Sequence, residues 1–341
     1  MVDVTVRGAG ILGLSIAWAC VQRGAAVRIV DPYGIASGSS GGIVGALAPH
    51  VPENWNPKKQ FQLESLLMAE TYWQGVQDSG GLAPGYARLG RLQPIADAKA
   101  RDLAAQRGVQ AQTLWQGRAD WQIIDAPGDW APHSATGQYV FDTLSARIHP
   151  RQACLALQAA LAARGVTITA DQPAANEPTI WATGLPGLQA IDNPRPVGTG
   201  VKGQAALLGF DARALPQLFA DALHIVPHGD GTVAIGSTSE REYRDPASTD
   251  AQLDVLVAKA RAMMPALTNA PVLERWAGVR PRARSRAPML GPWPGRGGHF
   301  IANGGFKIGF GMAPKIAEVM ADLVLEGRDA IPEGFQVHAS L

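Results

Sequence analysis

The sequence predicts an α/β protein of more than one domain, and three observations lead to this prediction. The chain has 341 residues, which is more than a single hydrophobic core usually fills. Its 39 glycines and 25 prolines supply many tight turns, which suits an α/β protein better than a helical bundle. Near the N-terminus, two short apolar runs flank a glycine-rich turn and a helical pattern, which is the order of a strand–helix–strand unit.

The N-terminal unit begins with a predicted strand. Valines alternate with polar residues over positions 2–7, and this run stops at Gly8. A helical pattern follows to about residue 23, and Gly24 is placed to end it. Residues 25–30 then predict a second strand.

The glycines of this unit have the GxGxxG spacing of a dinucleotide-binding loop. Gly8 permits the tight turn, Gly10 lets a pyrophosphate approach the backbone, and Gly13 lets the helix pack on the strand. The helix N-terminus offers unpaired N–H groups and the positive end of its dipole to the phosphates. Asp31 lies 18 residues beyond Gly13, close to the expected place of the acid that binds an adenosine ribose. The sequence therefore predicts a bound dinucleotide.

Small residues downstream favour FAD over a nicotinamide cofactor. Residues 36–46 are dense in Gly, Ser and Ala, which leaves backbone amides free and lets a planar ring lie close to the chain. Residues 179–184 and 299–305 each predict an apolar strand that ends in a small-residue turn. A nicotinamide dehydrogenase would need its own catalytic acid or base and would leave these two segments without a purpose.

Other segments predict the rest of the secondary structure. Residues 61–78 and 150–164 have helical patterns, and residues 166–169 have the pattern of a strand. A helix is predicted from about Pro314 to residue 326. Residues 226–236 predict a hairpin, which indicates an antiparallel sheet outside the N-terminal unit.

Six segments in order along the chain resemble the glycine oxidase/D-amino-acid oxidase family of flavoproteins, and together they cover nearly the whole sequence. They are the N-terminal GxGxxG, residues 36–46, Ala182-Thr183-Gly184, Arg195-Pro196-Val197 with Lys202-Gly203-Gln204, Val226-Pro227 with the Gly229-Asp230-Gly231 turn and Ile235-Gly236-Ser237-Thr238, and Gly278-Val279-Arg280-Pro281 with Pro288-Met289-Leu290-Gly291. Each match is weak alone, but six in the right order are specific.

The resemblance implies a domain plan that periodicity alone does not give. It implies a discontinuous, Rossmann-like FAD-binding domain of residues 1–75, 140–195 and 276–341. A substrate domain of residues 76–139 and 196–275 would be inserted between these pieces. The expected class is α/β, with an α+β substrate part built on a mixed, largely antiparallel sheet.

The motif positions and the resemblance together predict non-covalent FAD. No cysteine lies near the segment between Arg280 and Lys307, so a cysteinyl flavin link is not expected there. The predicted cofactor-binding residues are Gly8, Gly10, Ile11, Leu12, Gly13, Asp31, Pro32, Ser37, Ser40, Gly42, Ile43, Val44, Ala182, Thr183, Gly184, Arg280, Gly304, Gly305, Phe306, Lys307, Ile308 and Gly309.

Amine oxidation by flavin needs mainly positioning and electrostatics from the protein, because the cofactor carries the redox step. The resemblance implies that Arg280 grips the substrate carboxylate, for which a guanidinium offers a bidentate fork. It also implies a second basic residue near the ligand at Lys307, which as a loop lysine is equally open to solvation. His50 is a candidate to face the flavin, although a lone histidine after a proline is more often structural. Tyr243 and Trp276 are candidates to wall the pocket.

Four arginines in alternate positions depart from the family pattern. In an extended segment Arg280, Arg282, Arg284 and Arg286 would share one face. This strip suggests a substrate with more than one negative charge, such as an acidic amino acid. A solvated charged edge is the other interpretation.

The resemblance implies an oxidase or dehydrogenase that acts on the C–N bond of a small amine or amino acid. Hydride would pass to flavin N5, and oxygen or a quinone or other carrier would accept the electrons. Two alternatives stay open. Residues 36–49 are equally similar to flavin enzymes that modify a tRNA base side chain, and a non-catalytic flavin-binding protein would share the same motifs.

The composition restricts partners and setting. The formal net charge of +1 does not favour a nucleic-acid partner. The two cysteines, Cys20 and Cys154, form no CxxC pair, which argues against a metal site and a disulfide framework and favours the reducing cytoplasm. No uninterrupted apolar stretch of about 18 residues is present, so a membrane span is not expected.

Overall fold

A computed structural model of the chain describes residues 2–125, 128–171 and 177–341. The helices are α1 (Ile11–Gln22), α2 (Pro57–Gly80), α3 (Ala98–Leu114), α4 (Pro150–Ala162), α5 (Gly184–Gln189), α6 (Ala251–Met263) and α7 (Gly309–Glu326). The strands are β1 (Val4–Arg7), β2 (Val27–Val30), β3 (Ala46–Leu47), β4 (Arg91–Pro94), β5 (Trp121–Asp125), β6 (Gln138–Asp142), β7 (Ala146–Arg147), β8 (Ile168–Thr169), β9 (Thr179–Trp181), β10 (Gly198–Gly209), β11 (Gln217–Ala220), β12 (Leu223–Pro227), β13 (Thr232–Gly236), β14 (Val272–Ala283), β15 (Met289–Pro292) and β16 (His299–Asn303).

The first large sheet is Rossmann-like and has the strand order β15-β16-β9-β1-β2-β8. Its neighbours are parallel except β15 and β16, which pair antiparallel. Val6 of β1 lies opposite Ile29 on one side and Ile180 on the other. Strands from the beginning, the middle and the end of the chain therefore meet in one sheet, and the predicted Rossmann-like fold is confirmed.

Helix α1 is fixed to this sheet by burial and by two glycines. Residues 11–20 of α1 are all buried, and the core around them includes side chains of α2, α4 and α7. Gly8 has φ +108°, a backbone conformation that side chains disfavour. A Cβ on Gly13 would lie only 1.9 Å from the Gly8 carbonyl oxygen, so only glycine lets the helix start this close to β1.

The second large sheet has the order β14-β10-β13-β12-β11-β4-β6-β5. Every neighbouring pair is antiparallel except β11 with β4, which confirms the predicted mixed, largely antiparallel sheet. The predicted hairpin is formed by β12 and β13, with Val226 opposite Ala234. Helix α6 packs on this sheet through Leu253 and Val257.

Some element bounds differ from the sequence predictions. Helix α7 begins at Gly309 and continues through Pro314, although proline was expected at its start. Because Pro314 lacks an N–H, it removes one hydrogen bond near the N-terminal end, which packing of the buried α7 face offsets. The domain boundaries stay a prediction, and in the structure β6 and β14 run across the positions predicted at 140 and 276.

The four-arginine strip does not form as a continuous strand face. Strand β14 ends at Ala283, and the chain turns immediately afterwards, with Arg286 at φ +61°. Arg280 and Arg282 lie within the strand, whereas Arg284 and Arg286 are exposed beyond it. The expectation that all four side chains share one face is therefore wrong for the last two.

Within the described parts of the chain, no helix is long and apolar enough to cross a membrane. The same residues contain no group of three or more His, Cys, Asp or Glu side chains placed to hold a metal ion. Cys20 and Cys154 are both free and buried.

Candidate functional site

A cavity is lined by residues of both large sheets, the N-terminus of α1 and the start of α7. Most predicted cofactor-binding residues line it, namely Gly10, Ile11, Leu12, Ser40, Gly42, Ile43, Val44, Ala182, Gly184, Arg280, Gly305, Phe306, Lys307 and Gly309. The others lie outside its lining, namely Gly8, Gly13, Asp31, Pro32, Ser37, Thr183, Gly304 and Ile308.

One end of the cavity is the N-terminus of α1. Gly10 precedes the helix, and no acidic residue lies in the first turn to oppose an anion. The Ile11 N–H donates to Ser40 Oγ at 3.0 Å, which holds the small-residue segment over the helix start. A Cβ on Gly10 would come within 3.0 Å of the same Ser40 oxygen. The helix dipole and the bare backbone make this end suited to phosphate groups.

Asp31 lies at the end of β2 beside the glycine turn. Its Oδ2 accepts a hydrogen bond from the Ala9 N–H at 2.7 Å, and its Oδ1 accepts one from the Tyr33 N–H at 2.9 Å. The carboxylate is partly exposed and has lone pairs left for ribose hydroxyls. Pro32 and Ser37 are exposed nearby, so they contribute backbone shape more than contact surface.

The remaining predicted residues outside the lining shape the turns that border it. Thr183 is the residue before α5, and Ile308 is the residue before α7. Gly304 has φ +73°, and a Cβ there would lie 2.7 Å from the Ala283 side chain. These three residues lie in two backbone turns that border the cavity, one before α5 and one before α7.

The cavity lining fits FAD. Glycine, serine and alanine predominate next to the α1 end, so a planar ring and a pyrophosphate can approach the main chain closely. Among the described residues that line the cavity, none is Asp or Glu, whereas Arg280 and Lys307 bring positive charge. An anionic dinucleotide therefore meets no repelling carboxylate in this lining.

Arg280 is a buried cation directed into the cavity from β14. Its guanidinium donates to Ser237 Oγ and, at 3.4 Å, to the Thr238 carbonyl oxygen. Burial lowers the pKa of Arg280 to about 10, and the charge of Glu240 opposes that shift. The group stays protonated at neutral pH. Among the described residues Arg280 has no carboxylate within ion-pair distance, so its charge is available to a ligand.

The guanidinium of Arg280 lies flat across Gly203 of the neighbouring strand β10. A Cβ on Gly203 would lie 1.8 Å from Arg280 Nη2. We expect Gly203→Ala to displace the guanidinium and to raise KM for a carboxylate substrate about tenfold, since a charge-assisted hydrogen bond contributes about 1.5–3 kcal/mol. Steady-state kinetics checks this result, with Gly334→Ala as the control because a Cβ there meets nothing within 4 Å. An unchanged KM in Gly203→Ala would contradict this placement of Arg280.

Lys307 is exposed at the rim of the cavity. Its Nζ lies 5.7 Å from the centroid of the Phe306 ring. Partial burial, and then the charges of Arg280 and Arg282, lower the pKa of Lys307. The structure brings Lys307 and Arg280 into the lining of the same cavity.

His224 of β12 lines the cavity and was not among the predicted residues. Its Nδ1 is buried without a hydrogen-bond partner in the described structure. Burial, followed by the charges of Arg91 and Lys307, lowers the pKa of His224 to about 3, so the ring is neutral at neutral pH. The sequence signal was the alternation of β12, in which His224 precedes the family-like Val226 by two positions and shares its face.

Other lining residues were not among the predicted cofactor-binding residues, although most of them lie within segments that the sequence analysis singled out. They are Ser39, Ala46, Pro150, Ala205, Gly236, Ser237, Pro281, Ala302, Asn303 and Phe310.

The structure separates three further candidates. Trp276 lines the cavity, as expected for a wall residue. Tyr243 does not, and instead lines a second cavity with Leu185 on the other side of β14. His50 is outside the lining, and its ring nitrogen Nδ1 is hydrogen-bonded to Gln62. Burial lowers the pKa of His50, which fits a structural contact.

Comparisons with known proteins identify the family of the chain. The family model described as DAO, FAD dependent oxidoreductase, matches residues 3–323. A glycine oxidase of Pseudomonas aeruginosa is 35% identical over 132 residues, which cover 38% of this chain and 36% of that protein. The bifunctional protein ThiO/ThiG of Synechocystis sp. is 27% identical over 344 residues, which cover 95% of this chain and 52% of that protein. The matches thus span from about a third to about half of the length of these two relatives.

The same architecture is present in a solved structure. Glycine oxidase from Geobacillus kaustophilus superposes with a TM-score of 0.83 at 20% sequence identity, covering 98% of each chain. At this identity the likeness concerns the fold. The family match, by contrast, extends over the glycine loop, the second sheet and most of α7. It confirms both the family resemblance and FAD as the cofactor: the chain belongs to the DAO family of FAD-dependent oxidoreductases.

Proposed function

We propose that this protein oxidises the C–N bond of a small amino acid or amine. The observation that carries the proposal is Arg280, a buried cation without a carboxylate partner among the described residues, in the same cavity as the glycine loop. A cation held in this way is suited to the carboxylate of an amino acid. The names of the relatives, which include glycine oxidases, support the same class of substrate.

FAD, when bound, would supply the acceptor for the hydride that leaves the substrate α-carbon. Arg280 binds and orients the substrate, because its fork fixes the carboxylate and hence the direction of the α-carbon. Ser237 and the Thr238 carbonyl hold the guanidinium in place.

The charges of the cavity favour an unprotonated amine, which hydride loss requires. Arg280 and Lys307 are positive, and none of the described lining residues offers a carboxylate to an ammonium group. A neutral His224 beside Lys307 adds no negative charge. The substrate nitrogen therefore releases its proton more easily than in water, and loss of hydride gives an imine that water hydrolyses to an oxo acid and ammonia.

The second part of the proposal concerns the electron acceptor and the cellular compartment. Oxygen or a quinone or other carrier takes the two electrons and regenerates the oxidised cofactor. A nucleic-acid partner is not part of the proposal, since the formal net charge is only +1. The free, buried thiols of Cys20 and Cys154 support a cytoplasmic setting.

Anaerobic titration of the purified protein tests the proposal. We expect flavin absorbance near ~450 nm, which bleaches with one class among D- and L-amino acids, glycine, sarcosine and proline. Bleaching by one amine class identifies an amine-oxidising enzyme and its substrate. Flavin bands that no amine bleaches would contradict the proposal while leaving the family assignment intact.

A further inference from the structure

Two cations lie around the Phe306 ring beside Arg280. The Arg282 guanidinium carbon is 5.4 Å from the ring centroid, and Lys307 Nζ is 5.7 Å from it. Arg280 and Arg282 occupy alternate positions of β14 and so project to the same side of the strand. The backbone of Arg282 pairs with Gly305, which keeps its side chain next to the Phe306 turn.

These three cations have no acidic partner in the described structure. None of them forms an ion pair there. Arg280 and Lys307 line the cavity, whose described lining contains no Asp or Glu, and Arg282 lies beside Phe306 outside that lining. Glu240, whose charge Arg280 senses, accepts a hydrogen bond from Gln204 and lies 3.8 Å from Lys202. Arg91, the other cation near His224, is paired with Asp142 at 2.9 Å.

The number of cations near Phe306 indicates which counter-charge a substrate would have to supply. One α-carboxylate on Arg280 leaves Arg282 and Lys307 without a counter-charge among the described residues. Unpaired cations close together raise each other's electrostatic energy, so a ligand that supplies a further anion gains binding free energy there.

We propose that Arg282 and Lys307 form a second carboxylate subsite next to Arg280, and that the preferred substrate is a dicarboxylic amino acid. This inference rests on the proposed function and names its substrate class. The α-carboxylate binds Arg280, and the second carboxylate, one or two carbons further, binds between Arg282 and Lys307. The redox step is unchanged, because hydride still leaves the α-carbon for the cofactor and the amine still loses one proton.

The chain contains matched controls for Arg282. Arg284 and Arg286 follow it at alternate positions, but both are exposed beyond the end of β14. Arg284 donates to the Pro196 carbonyl oxygen at 3.5 Å, whereas Arg282 lies against the Phe306 ring. Substitution of either arginine removes the same charge from the same segment without reaching the proposed subsite.

The first experiment compares aspartate and glutamate with alanine of the same handedness as substrates of the holoenzyme. Arg282→Ala is expected to lower kcat/KM for the dicarboxylic substrate about tenfold through KM, as for loss of one charge-assisted hydrogen bond. It is expected to change kcat/KM for alanine less than about twofold. Arg284→Ala and Arg286→Ala should change neither. Equal losses on both substrates, no loss in Arg282→Ala, or wild-type preference for alanine would each overturn the inference.

A binding experiment separates this inference from the proposed function, because it needs no turnover. Succinate and acetate are titrated into the oxidised holoenzyme, and the perturbation of the flavin absorbance gives each Kd. We expect succinate to bind more tightly than acetate and Arg282→Ala to weaken succinate alone, about tenfold. Arg282-dependent succinate binding without bleaching by any amine would keep the subsite and reject amine oxidation. Equal Kd values for the two acids in the wild type would reject the subsite whatever amine is oxidised.

Discussion

Arg280→Ala is expected to lower kcat/KM for the amino-acid substrate by about 100-fold or more. Truncating one partner of a buried, hydrogen-bonded charge pair costs about 2–5 kcal/mol, and every 1.4 kcal/mol is about tenfold. Arg280 is buried, and the described hydrogen bonds of its guanidinium go to Ser237 and Thr238, which hold the group in place without neutralising its charge. Steady-state kinetics gives the ratio, and anaerobic half-reactions show whether binding or reduction is lost.

Two companion variants make this result specific. Arg280→Lys keeps a positive charge without the planar fork, so it should fall between the wild type and Arg280→Ala. Arg284→Ala removes an exposed arginine four positions later and should leave both constants unchanged. All variants should be compared at equal flavin content. If Arg280→Ala retains the wild-type KM and kcat, another group binds the substrate carboxylate and the proposed role of Arg280 is lost.

Gly13→Ala is expected to release most of the bound FAD and to destabilise the fold by about 2–3 kcal/mol. The added Cβ would lie 1.9 Å from the Gly8 carbonyl oxygen, which is backbone and cannot rotate away. Either α1 must move off β1 or the glycine turn must open, and both changes shift the helix N-terminus that faces the phosphates. The flavin-to-protein absorbance ratio and urea unfolding measure the two effects.

Gly75→Ala is the matched control for this variant. Gly75 lies inside α2, and a Cβ there meets nothing within 4 Å. Alanine at this position should stabilise the helix by up to about 1 kcal/mol and leave the flavin content unchanged. A Gly13→Ala protein that purifies with full FAD and an unchanged urea midpoint would show that the close approach of α1 to β1 is not required.

The cofactor end of the cavity is predictable from the sequence because its determinants are local. Gly8, Gly10 and Gly13 fall within one turn and the start of one helix, and their spacing reflects a single backbone geometry. The substrate end depends on contacts between distant segments. His224 reaches the cavity from β12, three strands away from β14 in the second sheet, and the order of the strands in that sheet decides this meeting. A pattern within one segment carries no information about such a meeting.

The incorrect expectations have physical causes. Alternation of four arginines predicts a continuous strand face, but the chain turns after Ala283, with Arg286 in the left-handed region. Pro314 resembles a first helical residue, yet tertiary packing extends α7 back to Gly309. His50 follows the small-residue segment in sequence, but its ring is engaged by Gln62 of α2. For Pro314 and His50 a contact from another element overrides the local preference, whereas a turn of the chain itself ends the arginine strip.

The contact between β14 and the turn before α7 has an evolutionary consequence. Arg282 pairs with Gly305, and the Phe306 N–H donates to the Pro281 carbonyl at 3.1 Å, so main-chain atoms contribute to the contact between β14 and this turn. Replacement of a side chain on β14, an edge strand of the second sheet, leaves these main-chain contacts in place. Side chains on this strand can therefore change during evolution, and the substrate preference with them, while the flavin-binding backbone stays the same.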